Sequence, residues 1–208
     1  MLLGLDVGGT FTDAVIIDGH RVVATAKRRT TKDNLMNGIG EALDAVLEGY
    51  DASNIEQVTL STTVVTNTIV EEKEQVVDLY VVTGPGRNVD DIFPVKPIYL
   101  QGYTDHRGIV VERTPADAVR GIANMVQARS GTDLAAVSAK FGVRNPQEEL
   151  SITEELKNTY HTISNGSLLS GSLNFPRRTI SAYFNSAVTP VFTVFKKNVE
   201  DALSARNI

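Results

Sequence analysis

The start of the chain alternates between apolar and polar positions in three short segments. A period of two places every second side chain on one face of a strand, so each segment predicts a strand with one buried face. An Asp-Gly pair between such segments is a strong signal for a tight hairpin turn. The pattern predicts three antiparallel strands and two turns: residues 2–7, 11–17 and 21–27, with Gly8-Gly9-Thr10 and Asp18-Gly19 between them.

The next segment changes to a helical period. Asp33 precedes it as a predicted N-cap, and Gly49 follows it as a predicted stop. Its apolar side chains recur three or four positions apart, which is the spacing of one helix face. These positions are Leu35, Ile39, Leu43, Val46 and Leu47. The segments 57–60 and 78–83 then predict two further strands.

The second half of the chain predicts a small hairpin and then alternating helices and strands. The hairpin pairs residues 98–100 with 109–112. Thr114 is predicted to cap a helix that Pro115 begins. The apolar face of this helix comprises Val119, Ile122, Met125 and Val126. The remaining predicted elements are a strand at 134–141, a helix from Asn145 to about Lys157, a strand at 160–164, and a long helix from about Arg177 that Pro190 should kink.

Composition restricts the classes of partner. The chain has 208 residues, of which 42% are hydrophobic and 22% charged, as is typical of a folded domain. A net charge of −5 gives no electrostatic support for binding nucleic acid or an anionic membrane. The absence of cysteine excludes disulfides, and the three histidines lack zinc-ligand spacing. The sequence has no signal-peptide pattern and no membrane-length apolar run, so we expect a cytoplasmic protein.

The Gly8-Gly9-Thr10 turn carries the most informative chemistry. Glycine lacks a Cβ, so the turn can bring backbone N–H groups close to an anion, and the hydroxyls of Thr10 and Thr12 add donors. Asp6 precedes the turn, where its carboxylate could hold Mg²⁺ through retained waters. Together these residues predict a site for nucleotide phosphates. The alternative is a hairpin that needs glycine only for its turn geometry.

A second polar cluster follows the predicted strand at 57–60. Loops at strand ends often carry ligands in α/β folds, so Thr62, Thr63 and Asn67 are candidates for contact with substrate or phosphate. The alternative is that Ser61 simply caps a helix. Local propensity favours a strand here, because valines and an isoleucine recur in the segment.

Two other features have simpler interpretations. Arg177 and Arg178 could reach a phosphate or carboxylate, but at a helix start we expect them to be exposed and solvated. Residues 71–74 are interpreted as a solvated helix end.

The Ser/Gly-rich loop from Asn165 to Ser172 is the best internal boundary. It divides the chain into a domain of residues 1–173 and a helical segment of residues 174–208.

Two motifs together resemble the hydantoinase A and 5-oxoprolinase family. They are GLDVGGTFTD at residues 4–13 and STTVVTNTIVE at residues 61–71. Similar stretches at 141–149 and 174–188 extend the resemblance over essentially the whole chain. The resemblance implies an α/β, ribonuclease-H-like domain of the actin-like ATPase superfamily, with three antiparallel strands and then alternating helices and strands in a mixed sheet. It also favours a helix over 63–72, which gives the order β-β-β-α-β-α-β.

The same resemblance implies an activity, namely the ATP-dependent opening of a cyclic amide such as a hydantoin or 5-oxoproline. Asp6 would hold Mg²⁺, and Phe11 would join Gly8, Gly9 and Thr10 in the phosphate cradle. Thr12 would contact the terminal phosphoryl group. Asp13 would orient water or substrate, unless it only fixes the hairpin. The alternatives are a non-catalytic subunit, a subunit of an ATP-dependent ketone carboxylase, and a sugar or acyl kinase-like protein.

The chain also departs from the family pattern. A proline occupies the glycine-containing run Gly84-Pro85-Gly86, where it restricts the loop and puts a substrate contact in doubt. The superfamily closes its nucleotide site with a second acidic glycine loop, and no second copy occurs in this sequence. The resemblance therefore implies that further domains or a partner subunit complete the site. An apolar face left uncovered would favour self-association of the chain.

Overall fold

A computed structural model describes residues 1–31, 35–86 and 89–208. The chain divides into two units. Unit 1 comprises Met1–Lys73 and Pro190–Ile208, and unit 2 comprises Glu74–Thr189. The predicted cap Asp33 and the side chain of Leu35 lie outside the described residues. The predicted division at residue 173 stays a prediction.

Unit 1 begins with the three predicted strands. They are β1 (Leu2–Val7), β2 (Phe11–Asp18) and β3 (Arg21–Arg29), followed by α1 (Leu35–Leu47), β4 (Gln57–Thr62) and α2 (Val64–Val70). The sheet order is β3-β2-β1-β4, with antiparallel pairing among β1, β2 and β3 and parallel pairing of β4 with β1. The predicted helix in the segment 63–72 is confirmed, because its polar and β-branched residues form α2.

The core of unit 1 lies between one sheet face and α1. Alternation along β1 and β2 buries every second side chain on that face, and the apolar stripe of α1 covers them. Each fully buried Val, Leu or Ile contributes about 1.5–3 kcal/mol. The main members of this core are Leu3, Leu5, Val7, Ile16, Ile39, Leu43 and Val46.

Unit 2 contains a second, fully parallel sheet. Its elements in chain order are β5 (Asp78–Val82), β6 (Ile98–Tyr99), β7 (Tyr103–Thr104), β8 (Val110–Glu112), α3 (Ala116–Ser130), β9 (Leu134–Ala139), α4 (Gln147–Leu156), β10 (Thr162–Asn165) and α5 (Gly166–Leu169). The sheet order is β10-β9-β5-β6. The long helix α6 (Phe175–Ser204) supplies residues to the cores of both units.

Strand β5 belongs to the second sheet and not to the first. Every residue of β5 is buried, and the strand pairs with β9 on one side and β6 on the other. A strand that is apolar on both faces suits the centre of a parallel sheet that is covered on both sides. The protein therefore has a mixed sheet and a separate parallel sheet, and its fold is mixed α/β.

The predicted hairpin partner is wrong. Residues Ile98–Tyr99 join β5 in parallel, whereas β8 pairs antiparallel with β7. Gly102 lies between β6 and β7 and has a φ of +146°. A Cβ at this position would lie 2.6 Å from the Thr114 hydroxyl oxygen. This backbone conformation lets the chain leave the sheet before the hairpin begins. The Asp105 carboxylate closes the hairpin turn by accepting from the N–H groups of Arg107 and Ile109, each at 2.9 Å.

The start of α3 differs from the prediction. Pro115 is the N-cap, Ala116 is the first helical residue, and the Thr114 hydroxyl makes no capping bond. The Thr114 N–H instead donates to the buried Glu148 carboxylate at 2.5 Å, which holds the chain before the helix. Met125, predicted on the buried face, is 59% exposed. Its position lies at the edge of a stripe that Val119 and Ala123 occupy.

Arg178 corrects another expectation. Its side chain is 0% exposed, whereas that of Arg177 is exposed. The Arg178 guanidinium donates to the backbone oxygens of Ser172, at 2.7 Å, and Ala139, at 2.8 Å. Burial lowers the pKa of Arg178, and the nearby negative charge of Glu149 opposes that shift. This arginine therefore fixes the backbone at the end of β9 and cannot contact a ligand from the surface.

The long C-terminal helix is confirmed, and Pro190 lies inside it. The kink at Pro190 stays a prediction. Within the residues described by the structure, no helix is both long and apolar enough to cross a bilayer.

Candidate functional site

The glycine turn between β1 and β2 is closed by backbone hydrogen bonds. The Gly8 N–H donates to the Phe11 oxygen at 3.0 Å, and the Thr30 N–H donates to the Thr10 oxygen at 2.9 Å. Gly8 therefore uses its N–H inside the turn. In the described part of the chain, the N–H groups of Gly9 and Thr10 have no hydrogen-bond partner. They are the donors that this turn offers to an anion.

Helix α2 lies directly against this turn. A Cβ on Gly9 would lie 2.9 Å from the Asn67 Nδ2 atom, so the Asn67 amide would have to move to admit a side chain at this position. The Asn67 amide donates to the Thr63 hydroxyl at 3.1 Å. Five predicted site residues are thus brought together at this point: Gly8, Gly9, Thr10, Thr63 and Asn67.

These residues line a cavity of about 560 Å³, which we call the turn cavity. Its walls come from the β1–β2 turn, the end of β3 and helix α2. The remaining lining residues are Val7, Thr30, Val64, Thr68, Glu71 and Lys73. The turn cavity lies entirely within unit 1 and is open enough to admit a phosphate group.

Two predicted threonines do not line the turn cavity. Thr12 is fully buried, and its hydroxyl is 3.0 Å from the hydroxyl of Thr30. The Thr62 hydroxyl donates to the Val7 oxygen at 2.9 Å and accepts from the Val64 N–H at 3.1 Å. Thr62 thus ties the end of β4 to β1 and starts α2. Ligand contacts by either hydroxyl stay predictions, and each would require the present bonds to exchange.

Asp6 and Asp13 lie on the sheet face opposite to α1. Strand register places Lys27, Asp13, Asp6 and Ser61 side by side across β3, β2, β1 and β4, and we call this set the carboxylate row. Lys27 binds both carboxylate oxygens of Asp13, at 2.7 and 2.8 Å. The Lys27 ammonium also lies 4.9 Å from the ring centroid of Phe11, which is exposed. The row lines an open pocket with a volume of about 460 Å³.

The carboxylate row has the donor chemistry that Mg²⁺ prefers. Asp6 and Asp13 are directly opposite in an antiparallel pair, where two like charges destabilise the sheet unless a cation compensates them. Lys27 compensates Asp13. Among the described residues, no group of three or more acidic or histidine side chains forms a complete metal cage. One or two carboxylates with several waters is nevertheless the usual arrangement for Mg²⁺.

Several residues of the turn cavity escaped the sequence-based predictions. Thr30 reaches it because β3 extends beyond its predicted end. Thr68, Glu71 and Lys73 reach it from α2 and the turn that follows. The interpretation of residues 71–74 as a solvated helix end is incomplete for this reason. Once a helix over 63–72 was expected, the spacing of Asn67 and Glu71 could have placed them on one face.

The comparisons with known proteins agree with the motifs. A family model for the hydantoinase/oxoprolinase N-terminal region matches residues 2–160. The chain belongs to this family. This hydantoinase/oxoprolinase-type chain has no match among curated proteins. Its mixed α/β fold with a mixed sheet is that of the family's N-terminal domain.

Solved structures support the same fold. An acetone carboxylase, in a nucleotide-free structure described for ATP-dependent acetone carboxylation, is similar with a TM-score of 0.78 and 18% sequence identity. An ATP-dependent caprolactamase from Pseudomonas jessenii is similar with a TM-score of 0.74 and 18% identity. Each similarity covers 99% of this chain and 34% of the other chain. The hydantoinase/oxoprolinase-type chain therefore spans about a third of the length of these neighbours.

Proposed function

We propose that this chain is the nucleotide-phosphate-binding N-terminal domain of an ATP-dependent enzyme that hydrolyses cyclic amides. The observation that carries the proposal is the turn cavity, where the Gly8-Gly9-Thr10 turn meets Asn67 in a member of the hydantoinase/oxoprolinase family. The caprolactamase neighbour, which is ATP-dependent, supports it.

We also propose that unit 1 is a ribonuclease-H-like domain of the actin-like ATPase type, because its sheet runs β3-β2-β1-β4 with the glycine turn at one end.

In this proposal the turn cavity binds the phosphates of ATP. The N–H groups of Gly9 and Thr10 and the Thr10 hydroxyl donate to phosphate oxygens, since they border the cavity and have no hydrogen-bond partner among the described residues. Asn67, held by Thr63, forms the opposite wall. Thr63 and Asn67, with Thr62 behind them, would then stand close enough to contact the substrate or the terminal phosphate.

The carboxylate row would hold the metal. Asp6 would bind Mg²⁺ through water, and Asp13 would either assist or orient a water molecule while Lys27 balances its charge. When bound, Mg²⁺ neutralises the charge that develops on the phosphates during transfer. The protein's own contribution is to place the phosphates and to offer preorganised donors.

The chemistry that these residues would serve is amide activation. The amide oxygen of the ring attacks the γ-phosphorus and ADP leaves, so the ring carbon becomes attackable by water. Water adds at that carbon, the ring C–N bond breaks, and the nitrogen leaves as an amine, which gives an acyl phosphate. A second water hydrolyses the acyl phosphate to a carboxylate and inorganic phosphate. Phosphorylation is needed because the carbonyl carbon of an amide is a poor electrophile.

Completion of the site by other parts of the protein is included in the proposal. The neighbours are about three times longer than this chain, so further domains or a partner subunit would supply the second phosphate loop and the substrate pocket. A second candidate function is a subunit of an ATP-dependent ketone carboxylase. The acetone carboxylase neighbour favours it, because it shares the fold and its reaction is also ATP-dependent.

The test is lactam-stimulated phosphate release after the chain is combined with the remaining domains or partner subunit. Gly9→Ala places a Cβ 2.9 Å from the Asn67 amide, so we expect at least about a tenfold lower rate, because displaced donors lose their alignment. Gly121→Ala is the matched control, since its Cβ would meet nothing within 4 Å. Equal rates for both variants would contradict the site. Stimulation by a ketone and bicarbonate, but not by a lactam, would favour the carboxylase alternative.

A further inference from the structure

The end of α2 contains a strained reversal that points to an additional residue of the turn cavity. The Lys73 N–H donates to the Thr68 oxygen at 2.9 Å, and the Glu72 N–H donates to the Ile69 oxygen at 3.2 Å. This pair of bonds is a Schellman motif, in which the residue after the helix cap adopts the left-handed conformation. Glu72 occupies that position with a φ of +53°, where glycine is the usual residue.

The reversal determines where Lys73 lies. If α2 continued, Lys73 would lie about 200° around the helix axis from Glu71 and would face away from the cavity. The reversed chain instead returns Lys73 to the cavity wall. A non-glycine residue in this conformation costs about 1–2 kcal/mol and persists where the surrounding structure requires it. The position of Lys73 therefore depends on an unfavourable backbone conformation.

Lys73 gives the turn cavity its positive charge. Among the cavity-lining residues that the structure describes, it is the cation and Glu71 is the anion, and the others are uncharged. The Lys73 ammonium binds the Glu71 carboxylate at 2.5 Å, and the two side chains are 70% and 45% exposed. An ion pair this exposed contributes little to stability and exchanges readily for another anion. Lysine is a common phosphate ligand because its ammonium acts as a mobile point charge.

We propose that Lys73 is a phosphate-binding residue of the turn cavity, and that a bound phosphate displaces Glu71 from its ammonium. The inference rests on the proposed function, since it assumes that the Gly9 and Thr10 N–H groups hold a phosphate. It adds a cation to a cradle that otherwise consists of neutral donors. It also gives Glu71 a role, because the carboxylate competes with the ligand for Lys73 and so weakens binding.

The experiment is an NMR titration of the isotope-labelled chain of 208 residues with tripolyphosphate, which detects weak binding. The amide signals of Gly9 and Thr10 report occupancy. Lys73→Gln should weaken binding about tenfold, the usual effect of removing a charge-assisted hydrogen bond. Glu71→Gln should tighten binding, because it removes the competing anion. A general loss of structure would weaken binding in both variants, so opposite changes in affinity distinguish this proposal from such a loss.

Lys196→Gln is the matched control. Lys196 also forms an exposed ion pair with a glutamate, Glu200, at 3.5 Å, and it does not line the turn cavity. We expect the affinity of Lys196→Gln for tripolyphosphate to stay within about twofold of the wild-type affinity, since distant exposed charges are screened.

The outcomes separate the two proposals. Binding that Gly9→Ala abolishes but Lys73→Gln leaves within twofold would overturn the role of Lys73 and leave the proposed function standing. Weaker binding by Glu71→Gln would overturn the competition between Glu71 and phosphate. No shift at Gly9 or Thr10 in the wild-type chain would overturn both the cradle and the role of Lys73.

Discussion

At the scale of single residues, burial distinguishes side chains that look equivalent in the sequence. Arg177 and Arg178 are neighbours at a helix start, yet only Arg178 points into unit 2, where backbone oxygens accept its hydrogen bonds. Thr10 and Thr12 are similarly close, yet only Thr10 borders the turn cavity. A period of two places Thr10 and Thr12 on the same side of a strand, so it could not have separated them. The sequence also could not have identified Thr30 as the residue whose hydroxyl meets that of Thr12.

Tyr80 allows a prediction about pH. It is fully buried in unit 2, and its hydroxyl lies 2.7 Å from that of Tyr160, which donates to Asp78 at 2.8 Å. Burial, reinforced by the Asp78 charge, raises the pKa of Tyr80 to about 12. The unfolded value is about 10, so the contribution of the neutral phenol to folding is complete below pH 10 and is lost as the pH rises toward 12.

We therefore expect the absorbance titration of the native chain to contain a phenol that ionises only near pH 12 or on unfolding. Tyr80→Phe should remove one late phenol from this titration, whereas Tyr160 and Tyr183, whose pKa values burial also raises, continue to ionise late. Ionisation of all six tyrosines near pH 10 in a chain that keeps its circular dichroism would contradict the prediction.

At the scale of secondary-structure elements, the helix ends give a prediction with two opposite signs. Glu72 after α2 and Gly49 after α1 both have positive φ, at +53° and +81°. Glu72→Gly should stabilise the chain by about 1 kcal/mol, because it removes the penalty of a Cβ in the left-handed region. Gly49→Ala should destabilise it by about 1 kcal/mol for the same reason, although a Cβ there would meet nothing within 4 Å.

Urea unfolding of the two variants measures these changes. Stabilisation by Glu72→Gly that is accompanied by weaker tripolyphosphate binding would agree with the reversal holding Lys73 in place. A destabilising effect of Glu72→Gly would show that the Glu72 side chain, and not the backbone alone, supports the turn.

At the scale of the whole molecule, unit 1 is assembled from both ends of the chain. The last part of α6 places Phe195, Val199 and Ala202 in the same core as α1 and the first sheet. Phe195→Ala should therefore destabilise unit 1 by about 3–5 kcal/mol, through lost burial and the cavity left behind. Phe192→Ala on the same helix should cost less than about 1 kcal/mol, since Phe192 is 42% exposed whereas Phe195 is 1% exposed.

The measurement is urea unfolding followed by amide NMR signals from β1 and α1. Equal midpoints for the two phenylalanine variants would contradict the assignment of the end of α6 to the core of unit 1. Loss of signals from unit 2 before those of unit 1 in Phe195→Ala would contradict it as well.

Sequence alone determined most of the elements and the candidate cradle. Strand and helix periods, the Asp18-Gly19 turn and the Gly8-Gly9-Thr10 turn are local properties, because each depends on hydrogen bonds and side-chain directions within a few residues. The motifs at 4–13 and 61–71 also identified the family correctly. Boundaries followed the prediction closely for β1 and α1, where periodicity is strong, and for β5, which is a short apolar run.

Tertiary structure alone decided how those elements pair and which side chains meet. The placement of β5 in a second sheet, the burial of Arg178 and the return of Lys73 to the turn cavity all depend on contacts between segments far apart in sequence, or on a strained turn that the composition does not favour. The free energy of pairing two strands depends on how the side chains of both strands pack together, and the sequence of one strand does not contain that information. For this reason Gly9 could be predicted from its motif, whereas its contact with Asn67 required the fold.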